Sequence, residues 1–179
     1  MVTCIPASPA FVTASEQEVW ARLRDQLGPD DVLLANVRLT EEGRDVEADL
    51  VVLMPGFGVV VLEVKGGSVW YDDGWCQAAR GAPGRASGEP EVRWIRPVDQ
   101  ARDNKYALRT YVEGQPVWGS RARVRWAHGV VTPYSTFDDD FSVPELPRWA
   151  LHDRRQQDHL VTRLRQNATK AGHQRPPDA

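Results

Sequence analysis

The chain is poor in cysteine, which excludes several ways of holding a small protein together. Its 179 residues include only Cys4 and Cys76, which cannot build a disulfide framework and show no metal-binding spacing. This usage favours a reducing compartment. No apolar run approaches the length of a membrane span, and the N-terminus has no basic region followed by an apolar core. We therefore expect a cytoplasmic protein with no membrane association.

An overall excess of positive charge is also absent. The formal net charge is −3, so the chain as a whole does not attract polyanions. Residues 148–179 nevertheless hold seven Arg and Lys against three Asp, which gives this segment +4 and the remainder −7. Any contact with nucleic acid therefore requires a local basic patch.

The length and the 41% of hydrophobic residues allow one domain with a full core. We expect an N-terminal extension over residues 1–14, a folded domain over 15–147, and a basic helical tail with a frayed end over 148–179. The chain contains no Gly-x-x-x-x-Gly-Lys-Ser/Thr phosphate loop, which excludes an ATP-driven motor within this sequence.

Two apolar strands joined by a glycine turn form the most informative stretch, residues 47–65. Side chains alternate faces along a strand, so Glu63 and Lys65 project from one face and the neighbouring Val64 from the other. Asp49 lies near the start of the preceding strand. Charges that end buried strands are costly unless they are paired, and a divalent cation is the simplest partner for two carboxylates. The alternative interpretation is an exposed ion pair between Glu63 and Lys65 at a strand end.

Two helices are predicted on either side of these strands. The first covers residues 15–27, with Ser15 as N-cap and Glu18 three residues later. Glu16 shares the inward face of this helix, whereas Glu18 points outward. The second helix begins at Pro97, a residue favoured in a first turn, and runs to about residue 112, with Gln100 near its start.

The remaining pattern gives the order of elements. Further predicted strands cover residues 31–38 and 121–131, a small hairpin covers 69–77, and a C-terminal helix covers about 154–165. The fold class is therefore α/β, with a core of helix, three strands, helix and strand, a small hairpin insertion and a C-terminal helix.

Together these features resemble the restriction-endonuclease-like PD-(D/E)xK nuclease superfamily, and within it the nuclease-related domain, NERD. The resemblance covers residues 15–131. Ala48 stands before Asp49 where the superfamily pattern has Pro, and NERD members resemble the chain in this respect. The matching motifs are Ser15-Glu16-Gln-Glu-Val-Trp20, Glu47-Ala-Asp49-Leu-Val-Val52, Glu63-Val-Lys65-Gly-Gly67, Trp75 and Asp99-Gln100-Ala-Arg-Asp-Asn104.

The resemblance implies a nuclease that hydrolyses phosphodiester bonds in DNA with Mg²⁺ or Mn²⁺, in bacterial DNA processing, repair or defence. Hard cations prefer oxygen ligands, so Asp49, Glu63, the carbonyl of Val64 and Glu16 are the predicted metal ligands. Asp49 and Glu63, with Lys65 and Gln100, are the predicted catalytic residues; Lys65 would orient the attacking water and offset charge on the phosphate, and Gln100 would donate a hydrogen bond.

Two other readings stay open. The first is a non-catalytic nucleic-acid-binding module with the same fold that acts with a helicase partner. The second is a small structural domain in which Glu63 and Lys65 merely pair with each other. Cleavage that depends on metal would separate the first alternative from a nuclease.

Candidate DNA contacts come from basic residues after the strand pair. Arg93 and Arg96, with Arg80 and Arg85, lie on an irregular loop, although scattered exposed charge is an equal alternative. Arg102 and Lys105 lie on the helix that carries Gln100. The tryptophans Trp70, Trp75 and Trp94 either stack on bases or pack beneath the hairpin, and packing is the simpler expectation.

Overall fold

The structure is a computed structural model that describes residues 2–41, 44–79, 91–118 and 124–171. Two 3₁₀ segments, Arg148–Ala150 and Arg154–His159, connect the C-terminal elements. The helices are α1 (Ala14–Gln26), α2 (Pro97–Glu113) and α3 (Leu160–Ala171), and the strands are β1 (Thr3–Ile5), β2 (Val32–Glu41), β3 (Arg44–Met54), β4 (Gly58–Val64), β5 (Ser68–Tyr71), β6 (Trp75–Ala79), β7 (Glu91–Ile95), β8 (Trp126–Thr132) and β9 (Leu151–Asp153).

Six strands form a mixed main sheet in the order β1-β2-β3-β4-β8-β9, and a second sheet has the order β5-β6-β7. The pairs β2–β3 and β3–β4 are antiparallel, whereas β4–β8 and β8–β9 are parallel. A parallel neighbour requires a crossover, and α2 lies in the connection between β4 and β8. The α/β fold class is confirmed, and the architecture is compatible with a restriction-endonuclease-like core.

The apolar runs of β3 and β4 are explained by burial on both faces of the sheet. Leu50 and Leu62 lie in one core cluster with residues of α1 and α3, and Val51 and Val61 lie in another with Leu108 of α2. A strand that is buried on both faces has an uninterrupted run of apolar residues. The charged residues that flank such a run are therefore easy to recognise in the sequence. At the turn, Gly58 has φ +125° and its Cα faces the Arg125 carbonyl so closely that a Cβ would lie 2.4 Å from that oxygen.

The predicted elements and the observed ones differ at several ends. Helix α1 is capped by Thr13 rather than by Ser15, because the Thr13 hydroxyl accepts a hydrogen bond from the Glu16 N–H at 3.2 Å. The predicted helix at residue 97 and the predicted hairpin are confirmed. Strands β1, β7 and β9 were not predicted, and the predicted strand start at residue 121 lies outside the described residues.

The segment from residue 148 onward, expected from the sequence to be a basic helical tail, belongs to the main core as far as Ala171. Its strand β9 pairs with β8, and Leu160 and Leu164 of α3 lie in the same cluster as α1. Among the described residues, no helix combines the length and apolar character needed to cross a membrane.

Candidate active site

Asp49 and Glu63 face each other at the end of the antiparallel pair β3–β4. The register pairs Leu50 with Leu62, so Asp49 and Glu63 come next along the two strands. The Val64 N–H donates to Asp49 Oδ2 at 2.7 Å. Because the N–H and C=O of one strand residue point the same way, the Val64 carbonyl also faces the Asp49 side. Three oxygen-bearing groups therefore converge where the pairing of β3 with β4 ends.

Lys65 forms an ion pair with Glu63, and the pair is largely buried. Lys65 Nζ lies 2.6 Å from Glu63 Oε1, with exposed side-chain fractions of 17% and 5%. The backbone of Lys65 is fixed by its N–H, which donates to the Val131 carbonyl at 2.9 Å. The predicted same-face placement of the two charges is thus observed. The pair exists, but it is not the exposed strand-end pair of the alternative interpretation.

The surroundings of Asp49 and Glu63 disfavour the ionised forms of both carboxylates. Burial, followed by the charge of Glu63, raises the pKa of Asp49 from its ordinary 3.8 to about 7. Burial also raises the pKa of Glu63, although the nearby Lys65 ammonium opposes that rise. One lysine therefore does not compensate two buried carboxylates, and the site favours a further cation.

Glu16 lies close to this pair, as the helix-face argument predicts. Its side chain is buried, and its charge raises the pKa of both Asp49 and Glu63. The hydroxyl of Thr13 donates to Glu16 Oε1 at 2.8 Å, which fixes the carboxylate at the start of α1. Glu18, by contrast, points outward and forms an ion pair with Arg22 at 3.1 Å.

The side chain of Ser15, at the start of α1, packs closely against Gly66, just after β4. A Cβ on Gly66 would lie 2.5 Å from the Ser15 Oγ, so a larger residue after Lys65 would displace the Ser15 side chain. The Gly66 carbonyl in turn accepts a hydrogen bond from Gln77 Nε2 of β6 at 2.6 Å. Sequence reasoning singled out neither Thr13 nor Gln77; the Thr13-x-x-Glu16 spacing is a capping signal that could have identified the first.

Gln100 stands at the edge of this arrangement. Val98 of α2 lies in one cluster with Val130, the register partner of Glu63, so the first turn of α2 borders the carboxylates. Gln100 itself is exposed. Within the described ranges its side-chain amide makes no hydrogen bond, either to Asp49 and Glu63 or to another residue.

The predicted DNA-contacting residues differ in availability. Arg96 is exposed at the N-cap of α2, and Arg93 donates to Gln77 Oε1 through Nη2 at 2.9 Å. Arg102 forms ion pairs with Asp99 at 2.9 Å and Asp103 at 3.0 Å. Lys105 is buried, which lowers its pKa, and its Nζ lies 4.0 Å from the centre of the Tyr106 ring. Arg80 and Arg85 lie outside the described residues.

The residues present offer the donor atoms that a hard divalent cation prefers, but they do not form a complete coordination site. Asp49, Glu63 and the Val64 carbonyl are all oxygen donors, the type that Mg²⁺ and Mn²⁺ prefer. In the part of the chain that the structure describes, no three His, Cys, Asp or Glu side chains are grouped closely enough to form a ready metal site. Lys65 holds Glu63 instead, so cation binding requires Glu63 to exchange this partner.

A groove of about 810 Å³ runs along β2 and β3. Its walls are mostly apolar side chains of β2, β3 and the end of α2, including Leu34, Leu53 and Tyr111. Val51, two residues after Asp49, lines it, but neither Asp49 nor Glu63 does. The two carboxylates therefore lie outside the lining of this groove.

Comparison with known proteins agrees with this geometry. The family model of the nuclease-related domain, NERD, matches residues 12–132, which include α1, both carboxylate-bearing strands, α2 and β8. No curated protein and no solved structure gives a significant match to the chain. Since the family match spans more than half of the sequence, the chain belongs to the nuclease-related domain family.

Proposed function

We propose that this protein is a metal-dependent nuclease that hydrolyses phosphodiester bonds in DNA, in the cytoplasm. The observation that carries the proposal is the convergence of Asp49, Glu63 and Lys65 in a buried site whose carboxylate pKa values are raised, within a nuclease-related domain. Structural ion pairs do not need a surplus of buried negative charge, whereas a cation-dependent site does.

Asp49, Glu63 and the Val64 carbonyl would hold Mg²⁺ or Mn²⁺, with Glu16 close enough to add its negative charge. When bound, such a cation lowers the pKa of a coordinated water and offsets phosphate charge. Asp49 is held in place by the Val64 N–H at 2.7 Å, and Glu16 by the Thr13 hydroxyl at 2.8 Å. Both carboxylates are thus oriented before any ligand arrives.

Lys65 would act on the substrate. Its ammonium ends a buried strand and has a single ion-pair partner among the described residues, Glu63. Once Glu63 is otherwise engaged, the ammonium can donate to a phosphate oxygen and stabilise the charge that develops there. Gln100, which is exposed in the first turn of α2, would donate a hydrogen bond to the same phosphate or to the attacking water.

The Glu63–Lys65 contact favours one second candidate. The alternative is a non-catalytic nucleic-acid-binding module that acts with a helicase partner. Such a module would also retain a lysine that neutralises Glu63. It keeps the fold and a weak metal site, and it binds nucleic acid without cleaving it. Cleavage that depends on metal therefore separates the two candidates.

Cleavage assays on single-stranded and duplex DNA, and on RNA, with Mg²⁺, Mn²⁺ or EDTA, test the proposal. We expect cleavage of DNA with metal and none with EDTA, and loss of cleavage in Asp49→Ala and Glu63→Ala. Glu47→Gln is the matched control, because Glu47 lies on the same strand but is exposed and paired with Arg38. Circular dichroism checks that each variant is folded. Undiminished turnover in either alanine variant would exclude the assigned ligands.

A further inference from the structure

The outer face of the small sheet carries two indole rings in one cross-strand row. The register pairs Trp70 with Cys76 and Cys76 with Trp94, so these three side chains project from the same face of β5, β6 and β7. Trp70 is half-buried, Trp94 is 70% exposed, and Cys76 between them is buried. Val92, which is also exposed, lies on this face two residues before Trp94. An apolar, aromatic strip therefore faces solvent.

Trp94 packs on one side against a glycine turn although it is 70% exposed. Gly74, in the turn between β5 and β6, lies directly against the six-membered ring of the indole, and a Cβ there would approach the ring to 2.4 Å. The absence of a side chain at Gly74 thus lets the ring lie against the turn. An aromatic ring ordered in advance loses little conformational entropy when a second flat group stacks on it.

The opposite face of the same sheet is tied to the candidate active site. Trp75 is buried against Phe137, with ring centres 5.8 Å apart. Gln77 donates to the Gly66 carbonyl, one residue after Lys65, and accepts hydrogen bonds from Arg93 of β7. The strand that carries Trp94 is therefore held by hydrogen bonds at a defined position relative to Lys65.

Charge near the strip restricts how a polyanion would run. Arg96 is exposed two residues after Trp94, whereas Arg93, also exposed, projects from the opposite face and donates to Gln77. A cavity of about 400 Å³ beside Trp94 is lined by Arg96 and by the acidic side chains of Asp73, Asp99 and Glu145. Bases would therefore meet the indole rings, and Arg96 is the basic side chain beside them that would contact a phosphate.

We propose that Trp94 and Trp70 form a stacking platform for unpaired bases of a single-stranded nucleic acid. A duplex hides its base faces in its own stack, so an aromatic platform selects single-stranded segments regardless of sequence. The proposal deepens the proposed nuclease function by naming a substrate class, and it rests on that function only for the cleavage of the bound strand. Binding itself needs no metal.

The test measures binding of a fluorescent oligo-dT and of a duplex of equal length by anisotropy, at low salt in EDTA. We expect Trp94→Ala to weaken oligo-dT binding on the order of tenfold, the effect of losing one stacked base, and Trp70→Ala to weaken it less. Trp94→Phe should restore most of the affinity, since an aromatic face remains. Trp118→Ala is the control, because Trp118 lines the apolar groove along β2 and β3, which includes neither Trp70 nor Trp94.

Equal affinity of Trp94→Ala and wild type for oligo-dT would overturn the proposal, as would equal losses in Trp94→Ala and Trp118→Ala. Absence of oligo-dT binding by the wild type would also overturn it and would leave the strip to a protein partner. Quenching of tryptophan fluorescence by oligo-dT should be reduced in Trp94→Phe even though affinity is kept, which a purely structural role would not produce. A wild type that binds oligo-dT through Trp94 but cleaves nothing with any metal would refute the nuclease and support the platform.

Discussion

Replacing Asp49 by Asn should stabilise the metal-free protein while abolishing cleavage. The substitution removes the charge but keeps an oxygen that can accept the hydrogen bond from the Val64 N–H, which is 2.7 Å from Asp49 Oδ2. In the wild type, burial and the neighbouring Glu63 disfavour the ionised form of Asp49. The variant no longer carries that cost.

The size of the effect follows from the raised pKa. A change from 3.8 to about 7 corresponds to about 4 kcal/mol at about 1.4 kcal/mol per unit. Because Asp49 keeps some access to solvent and an amide is also costly to bury, we expect a gain of about 1–3 kcal/mol in the free energy of unfolding at about pH 8.

The sign of the pH dependence is fixed by the same shift. The folded protein holds its proton on Asp49 to higher pH than the unfolded chain does, so the folded state binds more protons between about pH 4 and 7. The contribution of Asp49 to stability is therefore retained at low pH and lost as the pH rises through this window. The difference between variant and wild type should be small near pH 4 and largest above pH 7.

Urea unfolding in EDTA across this range, followed by circular dichroism, measures the difference. Glu47→Gln, exposed on the same strand, should change stability by less than about 0.5 kcal/mol. Adding Mg²⁺ should stabilise the wild type but not Asp49→Asn, because only a ligand that binds the folded state raises stability. If Asp49→Asn is no more stable than the wild type at about pH 8, or if Mg²⁺ stabilises both equally, the reasoning fails.

Three further predictions concern Lys65, Glu16 and the buried His152 of β9. Lys65→Ala should lower the cleavage rate by on the order of a hundredfold or more, whereas metal affinity, measured by titration, should be kept or raised, because the cation no longer competes with Lys65 for Glu63. Unchanged turnover would leave Lys65 a structural role. Glu16→Gln should weaken the response to metal whereas Glu18→Gln should not, and equal metal titrations would remove Glu16 from the site. Burial lowers the pKa of His152 to about 3, so the stability it contributes is complete above about pH 6.5 and falls by up to about 1.4 kcal/mol per unit as the pH drops below that value. The test compares urea unfolding of Asp49→Asn with that of Asp49→Asn carrying His152→Asn as well. The free energy of unfolding should fall less steeply at acid pH in the double variant, and an equal fall in both would contradict a lowered pKa of His152.

The centre of the site could be predicted from the sequence because its signals are local. Strand parity alone places Glu63 and Lys65 on one face, and helix periodicity separates Glu16 from Glu18. Both inferences agree with the burial and contacts observed. The helix start was wrong because Thr13-x-x-Glu16 and Ser15-x-x-Glu18 are overlapping capping patterns, and sequence alone does not choose between them.

The surroundings of the site were less predictable because they depend on tertiary contacts. Strands β1 and β9 have three residues each, too few for a periodic pattern. Strand β7 shows no alternation, since Val92 and Trp94 on one face are as exposed as Arg93 on the other. The expected packing beneath the hairpin is confirmed for Trp75, whereas for Trp94 it is wrong, because the edge position of β7 and the bare Gly74 turn leave its ring in solvent.

Lys65 links the stability of the site to its proposed chemistry. Without a cation the Lys65 ammonium is what makes burial of Glu63 tolerable, and breaking such a buried pair by removing one partner is strongly destabilising. A cation at Asp49 and Glu63 would take over this role, which releases Lys65 for a phosphate oxygen. Only the Lys65 side chain would change partner in this exchange. Its backbone stays in place, because its N–H donates to the Val131 carbonyl and the next carbonyl, of Gly66, accepts from Gln77. In the proposed nuclease, the lysine that compensates the charge of Glu63 without metal would stabilise the transition state once metal is bound.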